Sequence, residues 1–524
     1  MQTPLDALSF EPLTPLLFLE RAARVFPGNI AVVDGETRRT YRELRDRTRR
    51  FSGALRELGV RPGDRVAVLS SNTPLLLEAH YGVPGCGAVL VALNYRLHAS
   101  ELAQIVEHSG ASVVLYDSEL AALADDMLLL IPAPPFACSE GELEARLPEA
   151  QLLPMPAVDE RSLLSLNYTS GTTGAPKGVM YHHRGAYLQA LAMVHHARMD
   201  ARSVFLWTLP MFHCNGWCFT WAVTAAGGTH VCLRKVEATE IWRLIEKESV
   251  THLNAAPTVL TMIATALDAD ATSIAGRIHV CTGGAPPSPT LIETLGALGM
   301  DVTHLYGLTE TFGPIMICEP QPEWAGADPP RVARLLARQG VGNLIAVAPR
   351  VVDDAGDDVP ADGTTLGEIA LRGNDVMLGY YRAPELTAAA ARDGLFRTGD
   401  LAVMHSDGYI EIRDRAKDII ISGGENIASI EVEQVLMSHP AVLEAAVVAS
   451  PDQRWGEVPV AFVTLREGMH AQPADLILHV KTRLAKFKAP KRIVFGPLPK
   501  TSTGKILKYA LRQSLRADDT APFP

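Results

Sequence analysis

Cysteine is scarce in this chain, and its spacing makes no framework. Seven residues, at positions 86, 138, 214, 218, 232, 281 and 318, are odd in number and scattered, with none after Cys318. A disulfide-stapled fold needs regularly spaced pairs, so the pattern fits reduced thiols and a cytoplasmic protein. His213, Cys214 and Cys218 lie close together, but no second ligand pair follows, which speaks against a structural zinc site. Long apolar runs are missing as well. The most apolar stretch, MLLLIPAPPFAC (127–138), is broken by three prolines and falls short of the ~20 residues that span a bilayer. Asp6 and Glu11 precede the first arginine and the chain ends in DDTAPFP, so neither a signal peptide nor a C-terminal address is expected. Positive charge is in deficit: 48 Lys and Arg against 59 Asp and Glu leave a formal charge of −11, which excludes the electrostatic footprint of a nucleic-acid binder. Repeats and low-complexity tracts are absent too. Core-forming material is plentiful, with 47% hydrophobic residues over 524 positions, enough for two or more globular domains.

The chain repeats a short β-branched run, a turn and a helical stretch. RVAVLS (65–70) leads through Asn72 into a helix and then VLVAL (89–93). SELAQIVEHSG (100–110) ends on Gly110, a good helix stop, before SVVLYD (112–117). THVCL (229–233), RIHVC (277–281) and DVTHLYG (301–307) continue the series, with helices around 240–249 and from Ser288 to about Leu298. Such alternation predicts an α/β protein with doubly wound parallel sheets, whose ligands sit at the carboxyl ends of the strands. Past about residue 345 the strands become shorter and alternating, as in GEIALRG (367–373) and YIEIRD (409–414). EPQPEWAGADPP (319–330) reads as a loop. From about 415 the pattern is that of a compact α+β unit, with a helix after Ser429, strands at 445–450 and 460–465, a helix over 474–486 and a last one from about 503. The domain boundary is placed at Arg413–Lys417, giving units of 1–414 and 415–524.

The most informative segment is LLSLNYTSGTTGAPKGV (163–179). A strand is predicted to end at Tyr168. Thr169, Ser170, Gly171, Thr172, Thr173 and Gly174 then offer hydroxyl and backbone N–H donors, and Lys177 adds a cation. Glycines let amides approach phosphate oxygens, and the ammonium strengthens those bonds. No Ser or Thr follows the lysine as a Walker loop would require, and a polar surface turn is the alternative for this segment taken alone.

In order, TSGTTGAPKG (169–178), GGAP (283–286), YGLTET (306–311), TGD (398–400), RDRAKD (413–418), SGGEN (422–426) and PKTSTGK (499–505) resemble the adenylate-forming acyl-CoA synthetase superfamily over nearly the whole chain. The resemblance implies a large N-terminal domain of doubly wound sheets plus a distorted barrel, with a small mobile C-terminal lid. It implies ATP, Mg²⁺ and CoA as cofactors and a small-molecule carboxylic acid as partner.

Glu310 is the natural protein ligand for Mg–ATP, since hard Mg²⁺ wants carboxylate and phosphate oxygens, with Thr169 as a second candidate metal contact. The resemblance puts Thr309 on the AMP phosphate, Tyr306 on the adenine, and Gly284, Ala285 and Pro286 on the adenine's other side. It also gives His304 an AMP contact. Core packing is the alternative for Tyr306. Glu310 is expected just past a strand and a tight turn at Gly307. Asp400 implies a ribose clamp, with Arg415 as a further nucleotide contact. Lys505 implies the cation that bridges carboxylate and α-phosphate during adenylation, where it stabilises charge present only in the transition state. Lys417 matches the hinge about which the lid turns, bringing Ser422, Gly423 and Gly424 to the CoA thiol, while Lys235 matches a CoA-phosphate contact. Two departures from the family, no Gly before Arg415 in DRAKD and Ile421 where some relatives carry Lys, bear on the CoA contacts.

PMFHCNGWCFTW (210–221) resembles the lining of an acyl tunnel. His213 is expected near the carboxylate and Trp217 further along, bounded by Gly283, Gly307, Thr311 and Gly313, with a core histidine beside an aromatic stripe as the alternative reading of His213. None of these is charged, so the acid's tail is expected to be apolar or weakly polar. The texture is closest to ligases of short- to medium-chain fatty, methylthiopropionate-type or aryl acids. The alternative is a stand-alone enzyme that loads a carrier protein in trans. The sequence leaves the oligomeric state open, a homodimer among the options.

Overall fold

The computed structural model describes residues 6–170, 176–266, 276–324, 326–415, 417–423, 425–500 and 506–518. Two large sheets follow from the strand–helix alternation. The first has six strands in the order Phe136–Ser139, Ala111–Tyr116, Arg65–Leu69, Val89–Leu93, Leu163–Ser170 and Pro176–His182. All its pairings are parallel except the last, a hairpin with Asn167 opposite Val179 and Thr169 opposite Lys177. The second has nine strands; its middle runs Met300–Leu308, Ile278–Thr282, His252–Ala255, Val204–Leu206 and Thr229–Val231, all parallel. Val89–Leu93 is buried at every position, as a strand covered on both faces must be.

Local chemistry sets the helix ends. Gly110 closes Ala99–Ser109 in the left-handed conformation at φ 63°, which glycine adopts without strain. Ser288 caps Pro289–Ala297 by accepting from Leu291 N. The predicted loop at 319–330 is only partly a loop: Asp328 caps a helix whose first residues are Pro329 and Pro330, a start signal readable in ADPP. The strand expected to stop at Tyr168 runs on to Ser170. The helix expected over 474–486 spans Pro473–Lys481, and the last helix begins at Lys508.

A five-stranded antiparallel sheet follows, built from Arg350–Val352, Gly367–Leu371, Ala391–Arg392, Leu395–Met404 and Ile410–Arg415. A further five-stranded sheet, with Gly456–Leu465 at its centre and Val442–Asp452 along its edge, packs helices Ser429–Met437 and Pro473–Lys481 over its own apolar cluster, which includes Val432, Val447, Val463 and Leu476. Arg415 is still paired with Asp400 in the earlier sheet. No described helix is long and apolar enough to cross a membrane.

Candidate active site

The carboxyl end of Met300–Leu308 is the centre of the site. The Tyr306 hydroxyl donates to Asp400 Oδ2 at 2.7 Å, and Arg415 Nε lies 3.0 Å from Asp400 Oδ1. Asp400 and Arg415 are register partners across a hairpin, so neighbouring strands hold the carboxylate between a phenol and a guanidinium. Asp400 is 3% exposed. Burial, and next the Asp400 carboxylate, push the Tyr306 phenol well above its usual range, so it remains a donor.

Past Leu308 the chain makes a 3₁₀ turn over Thr309–Thr311. The tight turn expected at Gly307 lies here instead. Gly307 is inside the strand, opposite Pro314 of Gly313–Ile317, and a Cβ on it would fall 1.8 Å from the Gly313 carbonyl oxygen. Glycine is needed there for close strand contact. Thr311 closes the turn: its hydroxyl accepts from Leu308 N at 2.8 Å and donates to Gly313 O at 2.7 Å. Thr311 is fully buried, so it braces the pocket from behind rather than lining it with a free hydroxyl.

Glu310 projects from this turn to Tyr380, whose hydroxyl donates to Oε1 at 2.7 Å, and the Lys177 ammonium lies 5.4 Å from the Tyr380 ring centre. Burial, then Glu310, raise the Tyr380 phenol and keep it protonated. Tyr380 therefore links the lysine of the phosphate hairpin to the candidate magnesium ligand. Among the described residues no group of three or more His, Cys, Asp or Glu could hold a metal. One carboxylate with substrate phosphates completing the shell is the usual magnesium arrangement, and Glu310 fits it. No contact of the Thr169 side chain supports a metal role; Thr169 stands opposite Lys177 at the root of the hairpin.

The acyl segment meets the same turn. Thr309 O accepts from Tyr181 Oη at 2.6 Å, and the Cys214 thiol points at Thr309 Oγ1 at 3.6 Å. Burial pushes that thiol up to about 12. Cys214 Sγ also lies 3.8 Å from the Nε2 of half-buried His213, so one thiol touches both His213 and Thr309. A Cβ on Gly283 would sit 3.2 Å from the edge of the Trp217 ring, and one on Gly313 would sit 3.2 Å from Trp217 Cα. The expected grouping of Trp217 with Gly283, Gly307 and Gly313 is thus a real neighbourhood. Cys214 to Cys218 all have positive φ, from 51° to 63°, a left-handed turn that costs roughly 1–2 kcal/mol at each residue other than glycine. Asn72 anchors its approach by donating to Trp207 O at 2.7 Å and Leu209 O at 3.0 Å and accepting from Met211 N at 2.8 Å.

Other expected residues are placed separately. His304 turns inward: it is 2% exposed, Nδ1 donates to Arg338 O at 2.8 Å, and burial lowers its pKa to about 4. It braces the strand as a neutral ring. Gly284, at φ 83°, and Ala285 are exposed just past Ile278–Thr282, and Pro286 is half-buried. Lys235 is exposed after Arg234, which pairs with Asp117. Ser422 is buried, and Gly423, at φ 61°, donates its N–H to Trp455 O at 2.7 Å. Lys417 is exposed between Ile410–Arg415 and Ile420–Ser422. Beside it Asp414 accepts from Ser429 N and Asp418 pairs with Arg512. Gly171, Thr172, Thr173, Gly174, Gly424 and Lys505 lie outside the described residues, as does the side chain of Ser170.

Tyr380, Asn72 and Asn215 hold candidate site segments by hydrogen bonds and were not singled out by motif reading. Tyr380 carried a weak signal in the Gly-Tyr-Tyr-Arg run after Leu378.

Comparison with known proteins agrees with this geometry. Residues 19–381 match the family model described as AMP-binding enzyme, and residues 431–505 match the AMP-binding enzyme C-terminal domain. The chain is 44% identical to the peroxisomal acetate/butyrate–CoA ligase AAE7 of Arabidopsis thaliana, covering 98% of this chain and 96% of that protein. It is 45% identical to the acetate–CoA ligase CCL3 of Humulus lupulus, over 97% and 96%. ATP-bound MatB from Rhodopseudomonas palustris superposes with a TM-score of 0.85 at 26% identity, covering 96% of this chain and 99% of that one.

Proposed function

Because this chain belongs to the AMP-binding enzyme family, we propose that it activates a short, apolar carboxylic acid with ATP and transfers the acyl group to CoA. It is an AMP-forming acid–thiol ligase that uses ATP, Mg²⁺ and CoA. In the first half-reaction the acid's carboxylate oxygen attacks the α-phosphorus and pyrophosphate leaves, giving acyl-AMP. In the second the CoA thiolate attacks the acyl carbon and AMP leaves.

The observation that carries the reading is the Thr309–Thr311 turn. It presents Glu310 to the Lys177–Tyr380 side and Thr309 to the His213–Cys214 side. A nucleotide clamped by Tyr306, Asp400 and Arg415 would lay its α-phosphate against the turn where a carboxylate arrives from the Trp217 pocket. Magnesium held by Glu310 and the ATP phosphates would neutralise phosphate charge. The protein's part is orientation: Tyr380 fixes Glu310, Asp400 fixes the ribose, and Lys505 would bring a cation to the attacking carboxylate and the pentavalent phosphorus.

We read residues 1–414 as the nucleotide- and acyl-binding domain and 415–524 as a lid turning at Lys417. The separate apolar cluster past Ile420 and the C-terminal family match support this division. Turning the lid would exchange Lys505 for the Ser422–Gly424 segment at the adenylate, with Lys235 as a CoA-phosphate contact. A wall of glycines with one indole and no charged side chain supports a small apolar tail, and the acetate and butyrate in the relatives' names agree with it. CoA-ligase relatives disfavour loading of a carrier protein. Seven free, buried cysteines support a reducing, cytoplasmic setting. The test is pyrophosphate release across linear acids from acetate to decanoate, with 3-(methylthio)propionate and benzoate, with and without CoA. Acid-dependent release and acyl-CoA formation, greatest for short acids, are expected. No acid-dependent release, or transfer to a carrier protein and not to CoA, would overturn the reading.

A further inference from the structure

The left-handed turn at Cys214–Cys218 has one residue whose side chain explains how it is held. We propose that Asn215 is a positioning residue for acyl selection, fixing the Trp217 wall relative to the phosphate hairpin without touching the acid.

Asn215 is fully buried at φ 52°, ψ 41°, a conformation that asparagine tolerates better than most residues. Its amide is engaged at both ends. Oδ1 accepts from Ser165 Oγ at 2.9 Å and from Asn167 Nδ2 at 2.8 Å, while Nδ2 donates to His80 Nε2 at 3.0 Å. His80 Nδ1 lies 2.7 Å from Leu76 O, so that nitrogen carries the proton and Nε2 must accept. Burial keeps the imidazole neutral, with its pKa lowered to about 4. The Asn215 carbonyl in turn accepts from Thr220 Oγ1 at 3.1 Å.

These partners tie three elements together. Ser165 and Asn167 belong to Leu163–Ser170, which leads directly into the phosphate hairpin, and His80 belongs to the helix Pro74–Gly85. Trp217, two residues beyond Asn215, stands between Gly283 and Gly313. One buried amide therefore references the acyl wall to the strand that carries Thr169 and pairs it with Lys177 of the neighbouring strand. Without it, the indole would lose its fixed distance from the carboxylate end of the pocket, and discrimination by chain length would weaken.

This inference rests on the reading of Trp217 as the pocket wall, so the experiment carries a control for that reading. Asn215→Gly keeps the left-handed backbone accessible and removes the amide. Ser165→Ala removes one of the two donors to Oδ1 and leaves the turn intact. Trp217→Gly alters the wall itself. For each, kcat/KM is measured over linear acids from acetate to octanoate, with the KM for ATP and the thermal midpoint. Asn215→Gly is expected to raise the KM of the preferred acid roughly tenfold and flatten the chain-length profile, with the KM for ATP within about threefold of wild type. Ser165→Ala should move the profile the same way by about threefold, which keeps the test alive if the glycine variant does not fold. A wild-type profile in Asn215→Gly, or in Ser165→Ala where the glycine variant does not fold, beside a shifted profile in Trp217→Gly would overturn the proposal. So would proportional rises in both KM values with a lowered midpoint, the mark of a purely structural role. An unchanged profile in all three would remove the pocket reading and the proposal with it.

Discussion

Replacing Trp217 by glycine tests the pocket most directly. Trp217 is 6% exposed and sits at φ 55°, so its truncation has two opposed effects. Losing a buried large aromatic costs about 3–5 kcal/mol, while glycine relieves the positive-φ strain by roughly 1 kcal/mol. The variant without acid should be destabilised by about 2–4 kcal/mol. The vacated space adjoins the end of the acid's tail, where each buried methylene is worth about 0.8 kcal/mol. Four added carbons would gain about 3 kcal/mol, or about two orders of magnitude in relative kcat/KM. The assay is pyrophosphate release over acetate, butyrate, hexanoate and octanoate, with thermal midpoints measured with and without each acid. The optimum should move from short acids towards octanoate, and octanoate should restore part of the midpoint that acetate does not. The KM for ATP should change little, because Tyr306, Asp400 and Arg415 form a separate bonded set. A lowered midpoint with an unchanged chain-length profile would mean that Trp217 is core packing and that the acid binds elsewhere.

Lys505→Ala should abolish acyl-AMP formation yet leave thioester formation from supplied acyl-AMP largely intact, since only the first step needs its cation; equal loss of both half-reactions would reject that role. Tyr306→Phe removes the 2.7 Å bond to Asp400, a hydrogen bond to a charged group worth about 1.5–3 kcal/mol, and should raise the KM for ATP about tenfold or more without moving the acid profile. Stability should fall as pH drops from about 6.5 towards 4, because burial lowers His80, His182, His183, His252 and His304 to about 4 and His230 to about 3. In that window the unfolded chain binds protons that the native protein refuses, at up to about 3 kcal/mol for each fully buried ring. Asp375, raised to about 7 by burial, works in the opposite direction, since its native form keeps a proton that the unfolded chain releases above pH ~4. Denaturant midpoints at pH 7.5 and 5.0 read the balance, and equal values would refute the assignment of neutral buried imidazoles.

The strand–helix alternation, the Gly110 and Ser288 helix ends and the glycine-rich sequences at strand ends were legible because each is a local preference written in adjacent residues. The neighbourhood of Trp217, Gly283 and Gly313 was implied by the family resemblance that the motifs carry. Asn215 was not legible as a structural residue, because its partners His80, Ser165 and Asn167 lie 135, 50 and 48 positions away. Locally, CNGWC offers only Asn and Gly as residues that favour positive φ, while Cys214, Trp217 and Cys218 join the turn against their own preference. Gly307 misled for a related reason. Glycine signals a turn or a close approach, and only the partner strand, with Gly313 O in the way of any Cβ, decides between them. His304 carried a motif position but sits behind the strand against Arg338.

The proposed acyl pocket combines a nearly bare wall with one large side chain. Side chains at Gly283, Gly307 and Gly313 are excluded by backbone oxygens and by Trp217 itself, with Cβ positions 2.7 Å from Leu305 O, 1.8 Å from Gly313 O and 3.2 Å from Trp217 Cα. The glycines therefore cannot tune the pocket by small substitutions: a methyl group at Gly283 or Gly307 collides with the sheet, and one at Gly313 presses on Trp217 at a positive φ. Thr311 has spent its hydroxyl on the turn, so it offers the acid no polar contact either. On the proposed reading of the pocket, chain-length discrimination would be left to the position of a single indole. An exposed loop holding that indole would let it yield to longer acids at little cost. Held from behind by the Asn215 amide, which bonds to Ser165, Asn167 and His80, the same indole would present a hard end to the proposed pocket. Rejection of a longer tail would then become a matter of sterics instead of weakened attraction.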